Sequence, residues 1–85
     1  MRVTVISPEK AIFDGDATAV TAPAYDGLVG ILPGHAPFVT LLGEGRLTVD
    51  TAGQDRNFEV RQGFLQVIDD TVLVVAEHAT LEGGK

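Results

Sequence analysis

The chain has no cysteine, no tryptophan, one tyrosine, one serine and only six basic residues among 85. The missing cysteine excludes a disulfide framework and any thiolate metal centre, the common braces of so small a fold, so stability rests on an apolar core or on a partner. Six basic residues against 12 acidic ones give a net charge of −6. That balance excludes the basic stripe that displaces phosphate counterions from nucleic acid, and it repels an anionic lipid surface unless a partner makes the contact. No apolar run approaches the ~20 residues of a membrane-spanning helix. The start, Met1 to Pro8, is too short in apolar residues for a signal peptide, so residence in the cytoplasm is the expectation.

Chemistry-bearing constellations are equally sparse. Ser7 is followed by Pro8, and neither His35 nor His78 has a local partner at a nucleophile or zinc spacing, so no catalytic set, no metal and no cofactor are expected. Asp14-Gly15-Asp16 and Asp69-Asp70 lack the graded acidic ligands and terminal glutamate of a calcium loop and read as solvated turn residues. Gly27, Gly30 and Gly34 make a glycine-rich stretch, but no Lys-Ser/Thr follows it and it opens no helix, so no nucleotide site is expected.

What the chain does have is period-two alternation, with no sustained helical period. Val3 and Val5 alternate with polar neighbours up to a turn at Ser7-Pro8-Glu9-Lys10. Ala11-Ile12-Phe13 restarts a strand that Asp14-Gly15-Asp16 bends or ends. Thr18 to Ala22 stops at Pro23, and Tyr25-Asp26-Gly27 connects it tightly to Leu28-Val29-Gly30-Ile31. Phe38 to Leu42 is apolar on both sides, as in a strand covered on both faces, before Gly43-Glu44-Gly45 turns the chain. Arg46 to Asp50, with Leu47 and Val49 inward, pairs through Ala52-Gly53-Gln54-Asp55 with Asn57 to Arg61. Gln62-Gly63 leads into Phe64 to Ile68, Asp69-Asp70 turns, and Thr71 to Ala76 is nearly continuous in apolar residues. Eight to ten short strands with regular turns predict an all-β fold, a sandwich of two antiparallel sheets over residues 1–80 with a flexible end at 81–85. Apolar excess on an outer face points to a protein partner.

One stretch is more specific than its composition. Gly30-Ile31-Leu32-Pro33-Gly34-His35-Ala36-Pro37-Phe38 sets a rigid turn between two apolar strands. His35 reads either as a turn histidine that bonds a neighbouring carbonyl and packs the loop, or as an exposed contact. Pro33 and Pro37 bear on the second reading, because a stiffened loop loses little entropy on docking.

Gly30 to Pro37 resembles the signature of the epsilon subunit of bacterial F-type ATP synthase, the counterpart of the mitochondrial delta subunit. Val3 to Glu9, Phe13-Asp14-Gly15, Ala22-Pro23, Gly63 to Val67 and Val72 to Ala76 fall in that family's order. The resemblance implies two five-stranded antiparallel sheets, about ten short strands, and a non-catalytic subunit of the central stalk. It implies the gamma subunit and the membrane c-ring as partners, no nucleic acid, and membrane contact only through the complex, at the cytoplasmic face of the bacterial inner membrane. In that family the domain stiffens the foot of the rotor, so that ion flow is coupled to ATP synthesis. Carried over by position, Asp26, Gly27, Leu28 and His35 lie on the ring side, and Gly30, Pro33, Gly34, His35 and Pro37 form the signature turn. Many relatives carry an acid where this chain has Leu28. Either Asp26 supplies that charge from two residues away, or Leu28 packs on an apolar patch. The helical hairpin that follows the sandwich in most relatives is not expected within these 85 residues. The alternative is a free-standing β-sandwich that binds its ligand through the loop from Gly27 to Pro37.

Overall fold

The computed structural model describes residues 1–82, and the last three residues of the flexible end expected at 81–85 lie outside the described residues. Eight strands carry the described chain: β1 (Arg2–Ile6), β2 (Ala11–Asp16), β3 (Ala19–Ala24), β4 (Gly27–Ile31), β5 (Phe38–Leu41), β6 (Gly45–Thr51), β7 (Gln54–Ile68) and β8 (Thr71–Leu81). They form one hydrogen-bonded sheet in the order β2-β1-β8-β7-β6-β3-β4, with β5 attached to β7. All pairings are antiparallel except β1 with β8, which is parallel.

The expectation of ten short strands in two separate sheets is therefore corrected to eight strands in one sheet folded into a sandwich. The reason lies in β7 and β8, 15 and 11 residues long. The first half of β7 pairs with β6 and its second half with β5, while β8 follows β7 throughout and joins β1 over its own first half. Midway the inward side switches: Phe58 and Val60 are buried before the bend, Leu65 and Val67 after it. Gln62 supplies the bend with a left-handed φ of 60°, and Gly63 follows at 157°. Such a conformation re-aims alternate side chains, so one strand can present its apolar residues first to one layer and then to the other.

The partner side breaks at the same level. Gly43-Glu44-Gly45 does not reverse the chain as expected. Leu41↔Phe64 and Gly45↔Val60 keep a common register, so β5 and β6 run in the same direction along β7 with residues 42–44 linking them opposite 61–63. The link is tied down by Leu42 N–H to Gly63 O (3.0 Å) and Gly43 N–H to Pro23 O (2.7 Å). Two other breakers also prove to lie within strands. Pro23 stays in β3, opposite Leu28, because pairing of β3 with β6 has ended at Thr21 and no ladder donor is missed. Asp14-Gly15-Asp16 completes β2, where Asp14 accepts from Arg2 Nε (2.9 Å) and Thr4 Oγ1 (3.2 Å).

The core is aliphatic. Val3, Val5, Val72, Val74, Leu65 and Val67 face Val20, Ile31, Leu47, Val49, Phe58 and Val60 across the fold, and the Phe13 ring meets Phe58 edge-on at 6.1 Å. At roughly 2 kcal/mol for each fully buried Val, Leu, Ile or Phe side chain, this interior is the main stabilising term in a chain without disulfides. The expectation that Phe38 to Leu42 is covered on both faces is corrected: Phe38 packs on the core and Leu42 is buried, but Val39 and Leu41 are 65 and 62 % exposed. β8 extends to Leu81, one residue past the domain end expected at residue 80, and Glu82 N–H donates to Asn57 O at 2.7 Å.

Candidate functional site

The connection from β4 to β5 is the most organised loop of the molecule. His35 N–H donates to Leu32 O at 3.1 Å, closing a turn with Pro33 and Gly34 at its centre. Gly34 has φ 85°, so proline at the first central position and glycine at the second build a type II turn, the one type that asks for both residues in that order. The His35 ring then folds back. Its Nδ1 donates to Ala36 O at 2.6 Å, and its face tilts against Phe38 with centroids 5.2 Å apart. The ring is half-buried, and its Nδ1 edge is used inside the loop.

A second element holds this turn from outside. Gly34 N–H donates to Asp70 Oδ1 at 2.9 Å. Asp69 and Asp70 both have left-handed φ, 49° and 58°, the requirement of a two-residue turn that matches strand twist. The Asp70 carbonyl also accepts from Arg2 N–H (3.1 Å), and Asp70 Oδ2 stands 3.8 Å from the part-buried Met1 ammonium, which donates to Ala17 O (3.1 Å). Asp70 is thus more than the solvated turn residue that its composition suggests. The Asp-Asp pair does announce a turn in the sequence, but its hydrogen-bond partner lies 36 residues away in the chain and leaves no local signal.

The ring-side residues and the signature turn implied by resemblance do not form one cluster. Gly30 lies in β4, and Pro33, Gly34, His35 and Pro37 lie in the loop beyond it. Asp26, Gly27 and Leu28 stand at the opposite end of β4, where Tyr25-Asp26 closes the β3–β4 hairpin. The strand β4 itself, five residues or about 16 Å of extended chain, carries Gly27 and Leu28 at its start and leads to the loop that holds His35. Leu28 projects from that edge strand, 76 % exposed.

Charged groups are spread over the surface. The Arg2 guanidinium, hydrogen-bonded to Asp14, holds that carboxyl below its ordinary value and is itself pushed up. On the other layer Glu59 is pushed up, first by its hydrogen bond with the Glu82 carboxyl, while Glu82 pairs with Arg46 Nε at 3.0 Å. Ser7 closes β1 with its Oγ donating to Lys10 O (3.1 Å), His35 belongs to the loop and His78 to β8 opposite Arg61, so the three stand on separate elements.

One outward face of the sheet is apolar. Strand register places Ile6, Val75, Phe64 and Leu41 side by side on four neighbouring strands, all on the outward face. Leu73 and Val39 extend the patch in the next row, separated by Gln66, and Ile68 lies beyond. In the sequence the apolar excess falls in Phe38–Leu42 and Val72–Ala76; pairing gathers the outward half of each onto one face.

A small β-sandwich with a locked loop at one end and an apolar outer face is a contact-making domain. Residues 1–82 match the family described as ATP synthase, Delta/Epsilon chain, beta-sandwich domain, and the chain belongs to that family. It is 39% identical over 82 residues to the ATP synthase epsilon chain of Leptospira borgpetersenii, covering 96% of this chain and 65% of the relative. With the ATP synthase epsilon chain of Frankia casuarinae the identity is 40% over 82 residues, covering 95% of this chain and 96% of the relative. The chain therefore spans less than two thirds of the first of these and nearly all of the second. Its backbone is similar, with a TM-score of 0.86 and 26% identity, to a chain in the structure of Euglena gracilis mitochondrial ATP synthase, OSCP/F1/c-ring in rotational state 1, covering 93% of this chain and 51% of that one. No helix among the described residues is long and apolar enough to cross a membrane.

Proposed function

We propose that this chain is a non-catalytic rotor subunit of an F-type ATP synthase, seated between the gamma subunit and the c-ring, where it couples ion flow to ATP synthesis. In a bacterial cell that places it at the cytoplasmic face of the inner membrane, reached only through the complex. The observation that carries the reading is the outward row Ile6, Val75, Phe64 and Leu41 in a domain of this family. A flat apolar face on so small a domain is the mark of a permanent partner, and gamma is the partner assigned to it. The β4 edge, with Asp26, Gly27 and Leu28 at one end and His35 beyond the other, is assigned to the ring. The net charge of −6 favours basic ring loops over acidic ones.

The two contacts differ in physics, and that difference is the test. Binding of the full-length protein to gamma and to the detergent-purified c-ring is measured from low to high salt. The gamma contact should hold or tighten, and the ring contact should loosen as charges are screened. Failure to bind gamma, or normal coupled ATP synthesis in membranes that lack the protein, would sink the reading and leave a free-standing binding module in its place.

A further inference from the structure

The loop Leu32 to Pro37 is not rigid by its own sequence alone. Its internal bonds are Leu32–His35 across the turn and the His35 ring to Ala36, both local. They fix the shape of the turn but not where it sits on the body of the domain. The one side chain of the described residues that hydrogen-bonds the turn from another element is Asp70. Its carboxylate takes the Gly34 N–H at 2.9 Å, a donor at the left-handed second central position of the turn.

We propose that Asp70 is the positioning residue of this loop: it holds the Pro33-Gly34 turn on the β7–β8 hairpin so that the loop is presented preorganised to its partner. Asp70 is itself well placed to do so. It is fixed by its left-handed backbone, by the Arg2 N–H to its carbonyl, and by the β7–β8 pair Ile68↔Thr71 that closes around it. A carboxylate accepting from a backbone N–H makes a charge-assisted bond, stronger than a neutral one, and its acceptor stands on the longest hairpin of the molecule. The loop therefore inherits the rigidity of β7 and β8. The role in partner binding rests on the ring-side reading above, whereas the positioning itself does not.

The test compares three substitutions in the full-length protein. Asp70→Gly removes the carboxylate while suiting the left-handed backbone, so loss of turn geometry is not the cause of any effect. Asp70→Asn keeps an acceptor oxygen and also tolerates that backbone. Asp69→Gly makes the same change one residue earlier, at φ 49°, where the side chain makes no hydrogen bond among the described residues. Amide hydrogen exchange at Gly34 is read by NMR, and c-ring affinity by titration. Exchange at Gly34 should rise at least about tenfold in Asp70→Gly, consistent with losing one charge-assisted hydrogen bond, remain within about threefold of wild type in Asp70→Asn, and stay unchanged in Asp69→Gly. Ring affinity should follow the same order while gamma affinity does not move. Unchanged Gly34 exchange in Asp70→Gly, or an equal rise in Asp69→Gly, overturns the positioning role. Raised exchange with undiminished ring affinity overturns its part in binding. If the wild-type protein fails to bind the ring, the ring-side reading falls, and the exchange comparison still decides whether Asp70 positions the loop.

Discussion

Gly63 faces the carbonyl of Val75 so closely that a Cβ built on it would collide with that oxygen and stand 2.8 Å from Ala76 Cα. Backbone meets backbone here, with no flexible side chain to give way. Gly63→Ala should therefore destabilise the fold by about 3 kcal/mol, from a φ that disfavours side chains (~1–2) and from overpacking (~1–3). Gly30→Ala, in open space on the β4 edge, should change stability by less than about 0.5 kcal/mol. Urea unfolding midpoints of the two variants check the contrast.

Leu41 stands 62 % exposed at the end of the apolar row. Leu41→Glu should leave the urea midpoint within about 0.5 kcal/mol of wild type, as for other exposed positions. Its effect should appear in association: affinity for gamma falls by about tenfold or more, roughly 1.4 kcal/mol, because a charge is buried without a partner. Isothermal titration against gamma measures it, and an unchanged affinity would remove this face from the interface.

Two carboxyls should give opposite pH signatures. Asp14 is held below its ordinary value by Arg2, so its stabilising contribution is present above about pH 4 and is lost as the pH falls through the lowered value. Asp14→Asn should then be less stable than wild type at pH 7, with the difference closing only in strong acid. Glu59 is pushed up by Glu82, with Glu44 adding in the same direction and Arg46 opposing, so its contribution is present below its unfolded value and is lost as the pH rises through the folded one. Glu59→Gln should be more stable than wild type at pH 7, and the advantage should vanish toward pH 4. Denaturation midpoints across that range decide both signs.

Alternation made much of this fold readable. Leu47 and Val49 point inward as their spacing requires, and the β6–β7 hairpin closes at Ala52-Gly53, with φ 42° and 90°, inside the connection expected there. The loop was legible for a similar reason, since proline and glycine in that order demand a type II turn. What alternation hides is continuity. Gln62-Gly63 reads as a gap between two strands because the inward parity changes across it, yet β7 runs on and its pairing with β8 skips Gln62 and resumes at Gly63 in the same register. Pro23 reads as a stop because the sequence does not reveal that pairing of β3 with β6 has already ended at Thr21. Asp70 reads as a polar turn because its partner is far away in the chain. Each miss is a non-local pairing, which local spacing does not encode.

The shared strands have a mechanical consequence. Two plates held together only by packed side chains can slide, since dispersion contacts offer little resistance to shear. Here β7 and β8 pass from one layer to the other as a continuous, mutually bonded pair, bent once at Gln62-Gly63. A sideways load on either layer is carried around the fold by covalent backbone, and slip between layers would require that hairpin to unzip. The sandwich is one ribbon creased on itself, which is a stiffer object than its 85 residues would suggest.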